Sequence, residues 1–260
     1  MTMRSLWWIF ILIAPLFVGC SKKDEPPAPV EKPSSVVSES GPKDQEGAPS
    51  AGQGRGTVSG KIIYKGSASV PKLSVGKDQE VCGTSKLDPT LVIGSQGEVK
   101  NAVVQIVGPS GTKAQAAKEA VLDQVKCEYV PHVLVIPVGT TLKIKNSDGI
   151  LHNVHTVSKE NTPFNRAQPK YLKEITATFE KPENVAVRCD VHAWMSGWIV
   201  VTDQAHYDVS ASDGTFTLSD VPAGEHRLEI WHERLGKQEQ RVKVGVGETV
   251  NVTFEFKAKT

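Results

Sequence analysis

A short segment of the chain carries a thiol, an imidazole and a thioether at the spacing C-x2-H-x2-M. Its donors are Cys189, His192 and Met195, and a second imidazole, His152, precedes them in the chain. Thiolate and thioether sulfurs are soft donors that hold Cu(I), while imidazole nitrogen serves both oxidation states of copper. Two imidazoles, one thiolate and a weak axial thioether form the donor set of a mononuclear copper site. The residue types therefore predict one copper ion bound by these side chains.

The four cysteines have different predicted uses. Cys20 directly follows an N-terminal leader, and Cys82 and Cys127 could form a disulfide in an oxidising compartment. Cys189 is then unpaired, and an odd thiol in an exported protein is a hazard unless something uses it. A buried, inert cysteine is the alternative. The imidazoles and the thioether in the sequence around Cys189 favour a copper ligand.

The segment from about Tyr129 to Val201 resembles a cupredoxin. The resemblance rests on Tyr129-Val130-Pro131, Val138-Gly139-Thr140-Thr141-Leu142-Lys143-Ile144-Lys145-Asn146, His152-Asn153-Val154, the C-x2-H-x2-M segment and Gly197-Trp198-Ile199-Val200-Val201. It implies a Greek-key β-sandwich that binds one type 1 copper ion. The ligands that it implies are His152, Cys189, His192 and Met195. Asn153 would fix the sulfur of the cysteine. Trp194 could shield the ion, although plain packing explains this tryptophan at least as well.

A third histidine, His155, is a rival or extra ligand. It follows His152 by three residues, and residues three apart on an extended strand point to opposite faces. Both could reach one ion only if the chain bends between them. The His-Asn-Val match to the cupredoxins favours His152. We expect His192 to lie on a loop at the rim of the protein, where it would be the exit for electrons.

The hydrophobic pattern predicts an all-β protein. Apolar and polar residues alternate with period two at 57–64, and residues 91–93 and 102–107 also have strand patterns. Residues 114–121 form the only helix-like piece, and the polar residues 158–173 are predicted to form a loop.

The C-terminal part resembles a second, smaller β-sandwich of the carboxypeptidase regulatory-like (transthyretin-like) type. Ser212-Asp213-Gly214-Thr215-Phe216 and Val221-Pro222-Ala223-Gly224-Glu225 carry this resemblance. The segment is too short to supply all the strands, so strands from 56–110 are expected to complete it. The predicted domains are a leader at 1–19, a linker at 20–55, N-terminal strands at 56–118, a cupredoxin-like copper domain at 119–203 and the second sandwich at 204–257. The copper domain would then be inserted into a discontinuous sandwich.

The N-terminus predicts export and anchoring. Arg4 and a short apolar run form a leader, and the run is shorter than the roughly 20 apolar residues that span a bilayer. Phe17-Val18-Gly19-Cys20 resembles a bacterial lipobox, which implies a lipid on Cys20, and Ser21 implies outer-membrane sorting in a Gram-negative host. The alternative is an ordinary signal peptide and a soluble periplasmic product. The linker that follows is rich in Pro, Ser, Glu, Lys and Gly, and it is predicted to be a disordered tether with an r.m.s. reach of about 30 Å.

Charge and motifs exclude several functions. The chain has 30 Lys+Arg and 29 Asp+Glu, and the leader contributes only Arg4, so the mature chain has 29 of each. This balance, without a basic block, argues against nucleic acid as a partner. The sequence has no nucleophile elbow, no H-E-x-x-H and no phosphate-binding glycine loop, so we predict that it is not an enzyme. One cysteine is too few for a dinuclear copper centre of the oxidase type, and methionine is a poor zinc ligand.

The predicted function is single-electron transfer between envelope redox partners such as c-type cytochromes or an envelope oxidoreductase. The protein would be held by its lipid at the periplasmic face of a membrane. Copper storage or delivery with the same ligands is one alternative. A metal-free scaffold that binds carbohydrate or protein is another, because fold alone does not determine function.

Overall fold

The computed structural model describes residues 54–67, 69–108 and 112–257. The predicted leader, Cys20 and the predicted linker up to residue 53 lie outside these ranges. The described protein is almost entirely β-structure, as the sequence predicted, with one short helix, α1 (Gln79–Cys82). None of the helical structure in these ranges is long and apolar enough to cross a lipid bilayer.

The strands are joined by turns and by longer irregular segments, the longest between β3 and β4. They are β1 (Arg55–Lys65), β2 (Lys72–Ser74), β3 (Ser85–Leu87), β4 (Val103–Val107), β5 (Ala120–Val125), β6 (Glu128–Val130), β7 (Val133–Pro137), β8 (Thr141–Asn146), β9 (His152–Val157), β10 (Asn165–Gln168), β11 (Glu174–Thr178), β12 (Glu183–Arg188), β13 (Ser196–Thr202), β14 (Tyr207–Val209), β15 (Thr215–Pro222), β16 (Gly224–His232), β17 (Gly236–Val244) and β18 (Thr249–Lys257).

Strands from both ends of the described chain form one sandwich, which we call the flanking sandwich. One sheet has the order β15-β1-β18, and the other has the order β14-β4-β16-β17. Residues 57–65 pair in parallel, one by one, with residues 249–257. Alternate side chains such as Ile62, Ile106 and Leu228 point between the two sheets and are fully buried. Burying one such side chain stabilises the fold by about 1.5–3 kcal/mol. The boundaries of separate domains stay a prediction.

The strands between them form a second sandwich, which we call the central sandwich. Its sheets have the orders β10-β9-β12-β13-β7 and β11-β8-β5-β6. Leu122, Ile144, Val187 and Ile199 are among the side chains that fill the space between them. In the larger sheet β9 and β12 are neighbours. The segment that begins at His152 and the segment that ends before Cys189 are therefore adjacent.

The two sandwiches contact each other through an aromatic and polar cluster. The indole rings of Trp198 and Trp231 meet edge to face with centroids 5.0 Å apart. The Nε1–H of Trp198 donates to Glu233 Oε2 at 2.9 Å, and His132 Nε2 lies 2.5 Å from Glu233 Oε1. These bonds link β13 of the central sandwich to the end of β16 in the flanking one.

Some predicted local structures are wrong. Residues 114–119 are not helical, because the amide of Ala114 donates to the carbonyl of Asp203 and that of Ala117 donates to Thr140 Oγ1. From Ala120 onward the chain pairs in parallel with β8 as β5. Residues 91–93 contribute one isolated bridge, from Ile93 to Val99, and no strand. The predicted loop at 158–173 contains β10, which pairs with β9 at the edge of its sheet and is therefore free to be polar.

Part of the region 56–118, predicted as N-terminal strands, packs against the central sandwich instead. Val75 and Cys82 belong to the central core and not to the flanking core. A disulfide joins Cys82 to Cys127 in the turn between β5 and β6. This covalent link holds α1 and its neighbours against the central sandwich. The hydrophobic pattern of the segment does not predict this attachment.

Candidate metal centre

Two neighbouring strands deliver the predicted donors to one end of the central sandwich. His152 is the first residue of β9, and Cys189 directly follows β12. Beyond Cys189 the chain turns back on itself. The amide of Met195 donates to the carbonyl of His192 at 2.9 Å, and the amide of Cys189 donates to the carbonyl of Met195 at 3.2 Å. This closed loop holds three of the four predicted ligands on a short rigid segment.

Three donor atoms converge inside the protein. The Nδ1 atoms of His152 and His192 are 2.9 Å apart. The sulfur of Cys189 lies 4.0 Å from Nδ1 of His152 and 3.8 Å from Nδ1 of His192. Both imidazoles are fully buried, and Cys189 is 3% exposed. The structure therefore brings together atoms that are up to 40 residues apart in sequence.

These spacings fit one shared metal ion. Bonds from nitrogen and sulfur to a zinc ion are about 2.0 and 2.3 Å long, so two donors on one such ion are at most about 4.3 Å apart. All three measured separations lie within this limit. Imidazole and thiolate are also the ligand types that copper prefers. The donor set and its spacing therefore fit the predicted ion.

The environment of Cys189 favours its thiolate. Burial raises the pKa of the Cys189 thiol, but a hydrogen bond with His152 and the backbone amides of Asn153 and His192 lower it by more. The net pKa lies below the ordinary value of a cysteine. Because the thiolate is the form that binds metals, this environment prepares the sulfur for an ion.

The two imidazoles have different proton affinities. Burial lowers the pKa of His152, but hydrogen bonds with Asp148 and Cys189 raise it to about 9. Burial also lowers the pKa of His192, and its hydrogen bond with Asp78 does not offset this. The two imidazoles are therefore not equivalent, although their Nδ1 atoms lie only 2.9 Å apart.

Asn153 connects the two ligand-bearing segments. Its Oδ1 accepts the backbone N–H of Asp190 at 2.6 Å and that of Val191 at 3.2 Å. Its Nδ2 donates to Asn165 at 2.6 Å and to Asp190 Oδ2 at 3.2 Å. The side chain thus ties the residue after His152 to the residues after Cys189. This geometry suits the role that the cupredoxin resemblance implied for Asn153.

The other predicted site residues are Met195, Trp194 and His155. Met195 is 2% exposed and packs in the same buried cluster as Cys189. The ring of Trp194 lies 5.1 Å from that of His192. His155 is on β9, but its Nδ1 bonds Asp190 at 3.0 Å. It is absent from every group of converging donors among the described residues, because it points to the other face of the strand.

The sequence analysis did not identify two carboxylates that lie beside the imidazoles. Asp148 Oδ2 lies 2.8 Å from Nε2 of His152, and Asp78 Oδ2 lies 2.9 Å from Nε2 of His192. Asp148 stands four residues before His152, a spacing that could have drawn attention to it. Nothing in the sequence pairs Asp78 with a residue 114 positions later. His192 is fully buried, and Asp78, which precedes α1, lies against its outer ring nitrogen.

No protein-family model and no curated protein matches the sequence. Among solved structures, a Cu-containing nitrite reductase from Thermus scotoductus SA-01 is 28% identical over 38% of this chain and 25% of that chain, with a TM-score of 0.31. The reduced Cu(I) form of an amicyanin mutant is 25% identical over 38% of this chain and 98% of that chain, with a TM-score of 0.30. A purple cupredoxin from Nitrosopumilus maritimus is 24% identical over 32% of this chain and 99% of that chain, with a TM-score of 0.27. This chain spans a quarter of the nitrite reductase, and the solved structures it is similar to are cupredoxins.

Proposed function

We propose that the protein binds one copper ion in a type 1 site and carries single electrons between partners in a bacterial envelope. One observation carries the proposal, namely the buried convergence of His152 Nδ1, His192 Nδ1 and Cys189 Sγ within 4.0 Å of one another. The ligands would be these three residues and Met195. We infer no catalytic reaction for it.

Copper would supply the one-electron redox step, and the chain would supply a fixed set of donors. Asn153 and the closed loop from Cys189 to Met195 hold the ligand segments through hydrogen bonds. The strands β9 and β12 fix the spacing between those segments. Burial excludes water from the donors and keeps other ligands away. A site that cannot rearrange much suits repeated gain and loss of one electron.

The direct test is titration of the full-length protein with Cu(II), followed by absorption and electron paramagnetic resonance spectroscopy. We expect one equivalent of copper to give an intense thiolate-to-copper band in the red region. Cys189→Ser should abolish that band, because a hydroxyl cannot replace the thiolate.

The matched control is His155→Ala, which removes an imidazole from the same strand without touching the converging donors. Its spectrum should equal that of the original protein. If the original protein shows no band and Cys189→Ser binds copper equally well, the proposed site is wrong. A loss of the band in His155→Ala would reassign the ligand on β9.

Electron transfer and copper delivery use the same ligands and need a separate experiment. Mixing the reduced protein with an oxidised c-type cytochrome in a stopped-flow instrument should produce rapid electron exchange. Transfer of Cu(I) to a chelator on the same timescale, without electron exchange, would favour storage or delivery. A protein that binds no metal but binds immobilised glycans would favour the scaffold alternative.

We also propose that a lipid on Cys20 holds the protein at the periplasmic face of a membrane, the outer membrane in particular. The proposal rests on the leader sequence and on the lipobox-like residues before Cys20. Labelled fatty acid should enter the original protein and not a Cys20→Ala variant. Fractionation should then find the label with the outer membrane. A protein released entirely into the periplasm would contradict the anchor and support an ordinary signal peptide.

A further inference from the structure

Each imidazole of the candidate site has a carboxylate on the side away from the predicted ion. The Nδ1 atoms of His152 and His192 face Cys189, and their Nε2 atoms face outward. There Nε2 of His152 meets Asp148 at 2.8 Å, and Nε2 of His192 meets Asp78 at 2.9 Å. Both imidazoles have 0% exposed side chains, and Asp148 is 5% exposed while Asp78 is 38% exposed, so the bond between His152 and Asp148 is the better shielded from water.

Asp148 is itself held by the backbone of a tight turn. Its Oδ1 accepts the amide of Lys126 at 2.5 Å, and its Oδ2 accepts the amide of Cys127 at 2.7 Å. Both of these turn residues have left-handed backbone angles, φ 51° and 58°. Two successive left-handed residues turn their amides to one side, which makes a small anion-binding concavity. The carboxylate is thus fixed in space before it meets His152.

Asp78 is positioned in a different way. It precedes α1 with φ 52° and ψ 34°, yet its side chain caps no backbone amide of that helix. Aspartate in this position usually accepts such an amide. Here the carboxylate bonds His192 instead. The disulfide from Cys82 to Cys127 joins α1 to the turn that holds Asp148, so one turn anchors both carboxylates.

We propose that Asp78 and Asp148 are positioning residues that orient the two imidazoles, with Nδ1 of each directed at the ion. The inference rests on the proposed copper site. A carboxylate that accepts the Nε2 proton selects the ring tautomer, prevents rotation of the ring and makes the free nitrogen a better donor. His192 then keeps its proton on Nε2 and presents the lone pair of Nδ1.

Asp78 gives the cleaner test because its side chain is 38% exposed and has no other side-chain bond among the described residues. The variants are Asp78→Ala, which removes the acceptor, and Asp78→Asn, which keeps an oxygen in the same place. Glu80→Ala is the matched control, since it removes an acidic side chain from the same short segment without touching His192.

The first measurement uses metal-free, full-length protein labelled with nitrogen-15 in its histidine rings. Ring-nitrogen chemical shifts should show His192 protonated on Nε2 in the original protein, in Asp78→Asn and in Glu80→Ala. In Asp78→Ala the ring should populate both tautomers. The second measurement is competition with a Cu(I) chelator, in which Asp78→Ala should bind copper about 10–100-fold more weakly. Asp78→Asn should recover most of this loss.

Asp148 is tested with Asp148→Asn, which keeps one oxygen for the turn amides and changes the partner of His152. We expect weaker copper binding of the same order, with His152 as the affected ring. The inference is overturned if the original protein binds copper while Asp78→Ala equals Glu80→Ala in both ring shifts and affinity. Failure of the original protein to bind copper would instead refute the proposed function, and the metal-free ring shifts would still decide the role of the carboxylates.

Discussion

Replacing Asn153 with alanine should loosen the ligand loop in a measurable way. The substitution removes the acceptor of the backbone amides of Asp190 and Val191, which now donate at 2.6 and 3.2 Å. Each hydrogen bond contributes about 0.5–1.5 kcal/mol net, so the two together contribute about 1–3 kcal/mol. The exposed position of Asp190 allows water to replace one bond, which favours the lower half of that range.

Urea unfolding of metal-free protein measures this loss, and amide hydrogen exchange locates it. A change of about 2 kcal/mol would lower the melting temperature by about 4–8 °C for a folded unit of this size. The amides of residues 190 and 191 should lose protection, while those in the middle of β16 should keep theirs. The loss of protection is the direct consequence of removing the acceptor atom.

The matched variant is Asn165→Ala. It removes one partner of the Asn153 amide group, at 2.6 Å, and an exposed donor to Asp190 Oδ2, also at 2.6 Å, but leaves the two backbone bonds in place. Asn165→Ala should lower the free energy of unfolding by less than about 1 kcal/mol. The reasoning is refuted if Asn153→Ala and Asn165→Ala are equally stable and the two loop amides stay protected in both.

Three further experiments test other parts of the fold. Burial acts to raise the pKa of Glu183, but hydrogen bonds from Ser158, Lys159 and Asn161 outweigh it and bring the pKa down from 4.5 to about 2. The stabilisation is therefore full above the unfolded-state pKa and is lost as pH falls toward 2. After allowance for solvent screening, Glu183→Gln should lower the free energy of unfolding by about 1–2 kcal/mol near neutral pH and by almost nothing near pH 2. Urea unfolding at a series of pH values measures this difference. Gly60→Ala should lower the free energy of unfolding by about 1–3 kcal/mol, because the new Cβ would lie 2.5 Å from the carbonyl oxygen of Val252. The control Gly76→Ala should change the melting temperature little, because no atom lies within 4 Å of its new Cβ. Trp198→Phe combined with Glu233→Ala in a double-mutant cycle should give a coupling energy of about 1 kcal/mol or more. Additive effects would show that the 2.9 Å bond between the two side chains contributes nothing.

The sequence predicts the inward-facing run that ends at Cys189 because its signal is local. Cys189, His192 and Met195 are spaced along one loop, and the alternation of Val185 and Val187 predicts that the thiol faces inward. The structure places all three residues of that alternating run at 3% exposure or less. The all-β fold is predicted for the same reason, since period-two alternation is a property of neighbouring residues.

The outer part of the site depends on the path of the chain and cannot be predicted in this way. Asp78 lies 114 positions before His192, and a disulfide holds the adjacent α1 against the turn between β5 and β6. Residues 114–121 are predicted to be helix-like, but long-range hydrogen bonds to Asp203 and Thr140 and the pairing of Ala120 with β8 hold them extended. Local propensity is a weak guide when a tertiary pairing opposes it.

The cover over His192 has a consequence for how electrons would cross the protein surface. Tunnelling weakens steeply as the barrier thickens, and the segment that carries Asp78 adds a layer of protein outside this imidazole. On the other side, Cys189 and Met195 border an open surface groove beside Ala193.

We therefore expect a redox partner to dock over that groove and to couple to the sulfur of Cys189 more strongly than to the imidazole edge. Ala193→Tyr should slow electron exchange with a cytochrome more than Glu80→Tyr does, and the opposite order would place the contact on the covered side. The thin wall between solvent and sulfur, rather than a protruding histidine, would then set the rate at which this protein exchanges charge.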